Sequence, residues 1–237
     1  MRYTLQVQYI GKNYAGSQIQ FENGIEIQTP TIQGELEKAI STLIFGDTEN
    51  NNRQLKTVFS GRTDRGVNSK GQIIHFDTDK PIVASKFVYQ LNEILPKDIS
   101  VSDLKQVDAS FHAQKSAKRR FYRYVFINRK CKNAFDGDLM RIKYDINIER
   151  MQNALNYLLG EHDFSSFKSS GTLNPSKVCF IEKAECKKDG DFVIIDIVGN
   201  RFLYNMVRTI VGTLLEIEGH NRSAEYMKQV LEACDRK

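Results

Sequence analysis

A chain of 237 residues, 41% hydrophobic and 27% charged, has enough apolar material for one large or two small cores and the ordinary balance of a soluble globular protein. Its net charge of +5 and sequence pI near 8.9 favour a polyanionic partner without requiring one. Cys131, Cys179, Cys186 and Cys234 form no C-x-x-C pair, which argues against a zinc site or redox motif, and no apolar run approaches membrane-spanning length.

The opening Met1-Arg2-Tyr3-Thr4-Leu5-Gln6 lacks a signal-peptide core, so the expectation is a cytoplasmic protein with reduced thiols and no membrane attachment. Tyr3, Leu5, Val7 and Tyr9 alternate with Thr4, Gln6 and Gln8, the period of a half-buried strand. The glycine-bounded stretch from Gly11 to Gly16 reads as a loop offering Lys12 and Tyr14 to a ligand. After Pro30 a helix is expected, with Ile32, Leu36, Ile40, Leu43 and Ile44 on one face and Gly46 closing it. Asn50 to Arg53 reads as a polar turn, and Thr57 to Ser60 as a short strand.

Ser60 to Asp77 then reads SGRTDRGVNSKGQIIHFD. Gly61 and Gly66 bracket Arg62-Thr63-Asp64-Arg65, a loop composition, and Gln72 to Phe76 has strand character. A lone carboxylate, Asp64, is thus placed between two strands with Arg62 and Arg65 around it. Neighbouring arginines keep an aspartate ionised, which suits a nucleophile better than a proton donor. The alternative is an aspartate that merely caps a turn.

A second helix is expected over Phe87, Val88, Leu91 and Leu95, ended by Pro96, followed by a strand from Val101 to Val107. Phe111-His112-Ala113 leads into the run from Lys118 to Phe126. On a strand, Arg120, Tyr122, Tyr124 and Phe126 share one face, and Arg119, Phe121, Arg123 and Val125 the other. Arginines interleaved with aromatics suit unstacked nucleic acid, and equally describe a strand with one solvated side.

Ile148, Met151, Leu155, Leu158 and Leu159 form a helical stripe capped by Asn147, and Gly160 to Phe167 reads as a loop. His162 beside Asp163 is read as a structural hydrogen-bonding group rather than an acid–base pair, because no nucleophile is recognisable around it. Val178 to Lys187 and Phe192 to Gly199 make a strand pair turned at Asp189-Gly190. Met206, Val207, Ile210, Val211 and Leu214 mark another helix, with Arg208 as a charge inside an apolar run. A last helix is expected from Ser223 to Cys234.

Gly61-Arg62-Thr63-Asp64, Gly66-Val67, Gly71-Gln72 and His75-Phe76 together resemble the active-site motif of the TruA-type tRNA pseudouridine synthases. The likeness recurs along nearly the whole chain. It includes Thr31-Ile32-Gln33, Leu36-Glu37, Leu91-Asn92, Leu95-Pro96, Asp98-Ile99, Gly160 to Phe167, Phe202-Leu203, Met206-Val207-Arg208 and Ile210-Val211-Gly212. The resemblance implies Asp64 as nucleophile, Tyr122 as the active-site tyrosine and Arg208 as the partner of Asp64. It implies RNA contacts through Arg62, Arg65, Lys118, Arg119, Arg120, Arg123, Lys12 and Tyr14. It also implies a homodimer that isomerises uridine at positions 38 to 40 of the tRNA anticodon stem-loop, without cofactor or metal.

The order of elements gives an α+β fold of two ferredoxin-like halves, residues 1–109 and 110–237, around a basic cleft. Ile10, Lys12, Ser17 and Gln114 depart from the family pattern. Family members also continue into a Gly-x-Thr-Ala-Pro segment and a closing strand, so the second half is expected to lack its last strand. Two other classes compete: a catalytically silent RNA-binding protein of the same fold, and a phosphatase using Asp77 and Asp79 after an apolar strand.

Overall fold

The alternating run at the start of the chain forms β1 (Arg2–Tyr9), and Tyr3, Leu5, Val7 and Tyr9 are all buried. The structure, a computed structural model, describes residues 1–22, 25–26, 29–46, 55–169 and 176–235; the polar turn expected at Asn50 to Arg53 lies outside the described residues. A small hairpin, β2 (Phe21–Glu22) and β3 (Ile25–Glu26), precedes α1 (Ile32–Phe45). Thr31 caps α1 by accepting the Gly34 N–H at 3.1 Å, and Gly46 ends it at φ 86°, a conformation glycine adopts without penalty.

Then come β4 (Thr57–Phe59), β5 (Ser69–Asp77), α2 (Ala84–Ile94) and β6 (Ile99–Val107). The sheet order is β4-β5-β1-β6, with every pairing antiparallel, the arrangement of a β-α-β-β-α-β unit. Ile32, Leu36, Ile40 and Ile44 of α1 and Phe87 and Leu91 of α2 join the buried face of β1 and β5 in one core. Asn92 fixes α2 to β6, donating to Val101 O and accepting from Val101 N–H. Glu37 is buried, and its Oε1 accepts from Thr57 N–H at 2.7 Å, Thr57 Oγ1 at 3.0 Å and Gln33 Nε2 at 2.8 Å. A carboxylate from the helix thereby holds the first residue of β4 in place.

Phe111 to Ala117 does not run straight into the next strand. A single turn, α3 (Ala113–Ser116), intervenes, and the Ala113 N–H donates to His75 Nδ1 at 3.1 Å. This bond keeps the segment with the first sheet. The chain accordingly divides into compact units at Ala117/Lys118, rather than at the 109/110 boundary expected from the order of elements.

The second unit contains β7 (Arg120–Asn128), β8 (Arg141–Ile142), α4 (Ile148–Asn156), β9 (Gly160–Asp163), β10 (Val178–Asp189), β11 (Phe192–Gly199), α5 (Met206–Gly219) and α6 (Glu225–Ala233). Its sheet runs β8-β7-β11-β10-β9, antiparallel apart from β8 on β7. The stretch from Gly160, expected as a loop, instead starts as β9 and pairs with Val178 to Ile181 before a short turn at Ser165–Phe167. Phe164 and Phe167 are fully buried, and anchoring both rings draws the preceding residues onto the sheet edge.

The order β10-β11-β7 repeats β4-β5-β1 of the first unit. Where the first unit places β6 beside its first strand, β7 meets β8 only at Ile127 and Asn128 among the described residues. The core gathers Phe126, Met151, Leu155, Ile195, Ile210 and Leu214. Asn147 caps α4 by accepting the Arg150 N–H at 2.9 Å. The buried Glu218 of α5 accepts from Arg150 Nε at 2.7 Å, Arg150 Nη2 at 2.9 Å and the Asn147 N–H at 2.7 Å.

Removing a carboxylate that answers a partly buried guanidinium and a backbone donor is strongly destabilising. Glu218→Ala should lower the free energy of unfolding by about 3 kcal/mol, read from chemical denaturation of the full chain; a change below about 0.5 kcal/mol would show the cluster to be energetically idle.

His75 is buried, and burial first, then Arg2 and His112, holds its imidazole below the ordinary histidine range. The unfolded chain therefore takes up this proton at a higher pH than the folded one. The contribution of His75 to stability is complete above roughly pH 6.5 and is lost as pH falls through the window below it. Asp77 has the same sign at lower pH: Arg2 depresses it, so its contribution is complete above roughly pH 3.9 and is lost as pH falls below that. Between pH 7.5 and 5, His75→Gln, which keeps an acceptor for Ala113, should lose less stability than the unaltered chain. Equal losses in parallel denaturation series would exclude His75 as the titrating group.

Candidate active site

Strand β4 ends at Phe59 and β5 begins at Ser69, and the residues between them carry Asp64. Ser60 N–H donates to Ile73 O at 2.8 Å, and Gly61 N–H to Gln72 Oε1 at 2.9 Å. Val67 N–H donates to Asp64 O at 3.1 Å, closing a turn through Gly66 at φ 78°. Asp64 is half-buried, whereas Arg62 and Arg65 on either side are exposed. The loop is packed against the segment after β1. A Cβ on Gly11 would approach Val67 O to 2.1 Å, and one on Gly16 would approach Thr63 O to 2.9 Å, so both positions require glycine.

The same segment carries Lys12, exposed on a single turn at Gly11–Asn13. Tyr14 is different from the expectation. It is buried in the first core, and its hydroxyl donates to Asp98 Oδ1 at 2.5 Å. Burial and then the Asp98 carboxylate push this phenol well above the usual tyrosine range, so it stays a neutral donor packed in the core.

Asp77 of the competing phosphatase motif is engaged by Arg2, Nε to Oδ1 at 2.8 Å and Nη2 to Oδ2 at 2.7 Å. A cavity of about 700 Å³ lies beside it, lined by residues including Lys56, His75, Asp79 and His112. That places the cavity at the end of β5 remote from the Asp64 loop, and its lining holds Asp77 and Asp79 but none of the residues that the family resemblance assigns to the site.

In the second unit, the interleaved arginines of β7 and its approach have partners that sequence reading does not reveal. Arg119 Nε meets Glu182 Oε2 at 2.6 Å. Arg123 is bidentate on Asp196, with bonds of 2.7 and 2.8 Å across the β7–β11 register. Asp196 is buried, and Arg123 holds its carboxyl below the usual range. Arg120 Nη1 donates to Asn200 O at 2.7 Å. Tyr122 meets Phe202 edge to face with ring centroids 4.8 Å apart, while Lys118 is exposed.

Phe202 lies just before α5, which begins after Asn205 in the left-handed region, φ 60°. Arg208 stands exposed in the first turn of that helix. So Tyr122 and the segment leading into Arg208 are brought together within the second unit, and Asp64 with Arg62, Arg65 and Lys12 within the first. His162 has the structural role expected of it, with Nε2 at 2.7 Å from Leu159 O. Among the described residues no cluster of three or more His, Cys, Asp or Glu side chains could hold a metal ion, and no helix is long and apolar enough to cross a membrane.

Sequence reasoning misses the buried polar residues around Thr63. Tyr9 reads only as one more apolar position of β1, and Ser17 only as a departure from a pattern.

Comparison with known proteins gives this geometry its class. Residues 154–237 match the family described as tRNA pseudouridine synthase. Relatives bearing the name tRNA pseudouridine synthase A extend the match over almost the whole chain. One from Anoxybacillus flavithermus is 42% identical over 97% of this chain and 89% of its own length. Others from Halalkalibacterium halodurans, 41% identical over 99% of this chain and 85% of the relative, and Colwellia psychrerythraea, 37% over 100% and 86%, agree. The chain belongs to the tRNA pseudouridine synthase family.

The Tyr122–Phe202 contact gives a measurable consequence inside the second unit. Tyr122→Phe should keep this ring contact and remain more stable than Tyr122→Ala. Tyr122→Ala should cost about 1–2 kcal/mol through the lost edge-to-face pair and area. Identical unfolding midpoints for the two variants would show that the ring contributes no packing.

Proposed function

We propose that this protein isomerises uridine to pseudouridine in tRNA, at positions 38 to 40 of the anticodon stem-loop, with Asp64 as the nucleophile. The observation that carries this is the intact Gly61-Arg62-Thr63-Asp64 motif, held on a fixed loop in a chain that matches tRNA pseudouridine synthases over almost all its length. The reaction breaks the bond from N1 of uracil to C1′ of ribose, turns the base, and joins C5 to C1′. The C5 proton is lost and N1 gains one, so atoms and electrons balance without a redox partner. Asp64 supports the departure of the base by attacking the ribose or the pyrimidine ring, a task for an ionised carboxylate.

A base inside a stem must leave the stack before this chemistry, at a cost of a few kcal/mol. Tyr122 stacks on the displaced base, Arg208 pairs with Asp64 and keeps it charged, and Arg62 fills the vacated position or grips the backbone. Lys12, Arg65 and Lys118 are exposed cations suited to phosphate. Arg120 reaches the RNA beside the Asn200 carbonyl that it already engages. Arg119 and Arg123 contribute less net field, because Glu182 and Asp196 neutralise them. The enzyme acts as a cytoplasmic homodimer on tRNA, as the family resemblance implies, and needs no cofactor for this balance of bonds.

Asp64→Asn should abolish pseudouridine formation in tRNA while affinity for the same tRNA stays within a few-fold, since phosphate contacts dominate binding. Turnover retained by the purified variant would overturn the nucleophile. Absence of pseudouridine from tRNA treated with the unaltered protein would favour the silent RNA-binding alternative.

A further inference from the structure

Thr63 directly precedes Asp64, and its polar groups are answered from two separate parts of the first unit, Ser17 and Tyr9. Its N–H donates to Ser17 Oγ at 2.8 Å, and its carbonyl accepts the Ser17 N–H at 3.0 Å. Its hydroxyl lies 2.8 Å from Tyr9 Oη, on β1. Gln72, on β5, completes the arrangement: its Oε1 accepts Gly61 N–H, which turns its Nε2 toward Tyr9 Oη at 2.8 Å. Tyr9 therefore accepts from Gln72 and shares a hydrogen bond with Thr63 Oγ1 in which either hydroxyl can donate. Ser17 is fully buried and Tyr9 and Gln72 nearly so. Burial holds the Tyr9 phenol above the ordinary range, so it remains neutral.

Ser17 is itself anchored. Its carbonyl accepts the Gln33 N–H at 3.0 Å in the first turn of α1, next to the Ile32 N–H bond to Gly16 O at 3.3 Å. Gly16, at φ 135°, permits the close approach of the two segments. The consequence for Asp64 follows from peptide geometry. The Thr63 carbonyl belongs to the planar unit that ends at Asp64 Cα, so fixing that carbonyl places the Asp64 N–Cα bond, and the Val67 N–H bond to Asp64 O restricts the rotation left about it.

We infer that Ser17 is a positioning residue for Asp64, acting through Thr63, with Tyr9 and Gln72 as the second arm of the same clamp. The inference rests on the proposed role of Asp64 and adds what holds that carboxylate on target. A displacement near 1 Å of a reacting group can cost about a hundredfold in rate. A clamp of this kind therefore acts on the chemical step and leaves RNA binding, carried by the exposed cations, almost untouched.

The test uses Ser17→Ala and, as a second variant that keeps its ring in the core, Tyr9→Phe, both in the full chain with tRNA. Three quantities are read: single-turnover pseudouridine formation at saturating tRNA, tRNA affinity, and amide hydrogen exchange. The expected result is a single-turnover rate lowered by about tenfold or more, affinity within twofold, and faster exchange at Thr63, Asp64 and Val67 with β1 and β5 unchanged. Unaltered rate and exchange in both variants would overturn the inference. So would rate and affinity falling together with exchange raised throughout the sheet, because Ser17 would then merely support the fold. If the unaltered protein forms no pseudouridine, the functional reading fails and the positioning role falls with it. If the unaltered protein converts tRNA and Ser17→Ala converts it equally fast, only the positioning role fails.

Discussion

The first unit depends on the obligation of buried backbone groups to find partners. At Thr63 that obligation is met by Ser17 and reinforced through Tyr9 and Gln72. Leaving one such group unanswered costs about 1–3 kcal/mol, so the Asp64 loop cannot swing away without breaking several bonds at once. The sheet makes this possible. β1 and β5 are neighbours, with Tyr9 opposite Ser69 and Val7 opposite Gln72, which brings the phenol and the amide within reach of each other. Loop rigidity here comes from the strands beneath it rather than from the loop's own sequence.

Charge is used inside both units as a fastener. Glu37 joins α1 to β4, and Glu218 joins α5 to the capped start of α4. Each buried carboxylate accepts three bonds, as the desolvation of a charge requires. Arg123 and Asp196 form a further pair across adjacent strands. These pairings remove several arginines from the field available to a polyanion. Lys12, Arg62, Arg65 and Lys118 are exposed on the surface of their units.

The two units share a scheme and part from it at one edge. In the first, β6 pairs along β1 for nearly its full length. In the second, β8 pairs with β7 only at Ile127 and Asn128 among the described residues. Arginine and aromatic side chains, Tyr122 among them, interleave along β7.

The sequence by itself determined the periodic elements and the motif. Alternation in β1, the stripe of α1 from Ile32 to Ile44, the Asn147 cap and the Asp189-Gly190 turn are written in residues a few positions apart, where backbone geometry alone decides the outcome. Asp64 was legible because its neighbours in the chain form a recognisable motif. The partners of the arginines, the burial of Tyr14, β9 and the turn of α3 were not legible. Arg123 meets a residue 73 positions away and Tyr14 one 84 away, and no local period encodes such a meeting. Ser17 lies 46 residues from Thr63, and a lone serine carries no signal until α1 and β5 bring it to a backbone N–H that has no other partner. Hydrogen bonding and burial are decided by which strands become neighbours, and that is a property of the folded sheet.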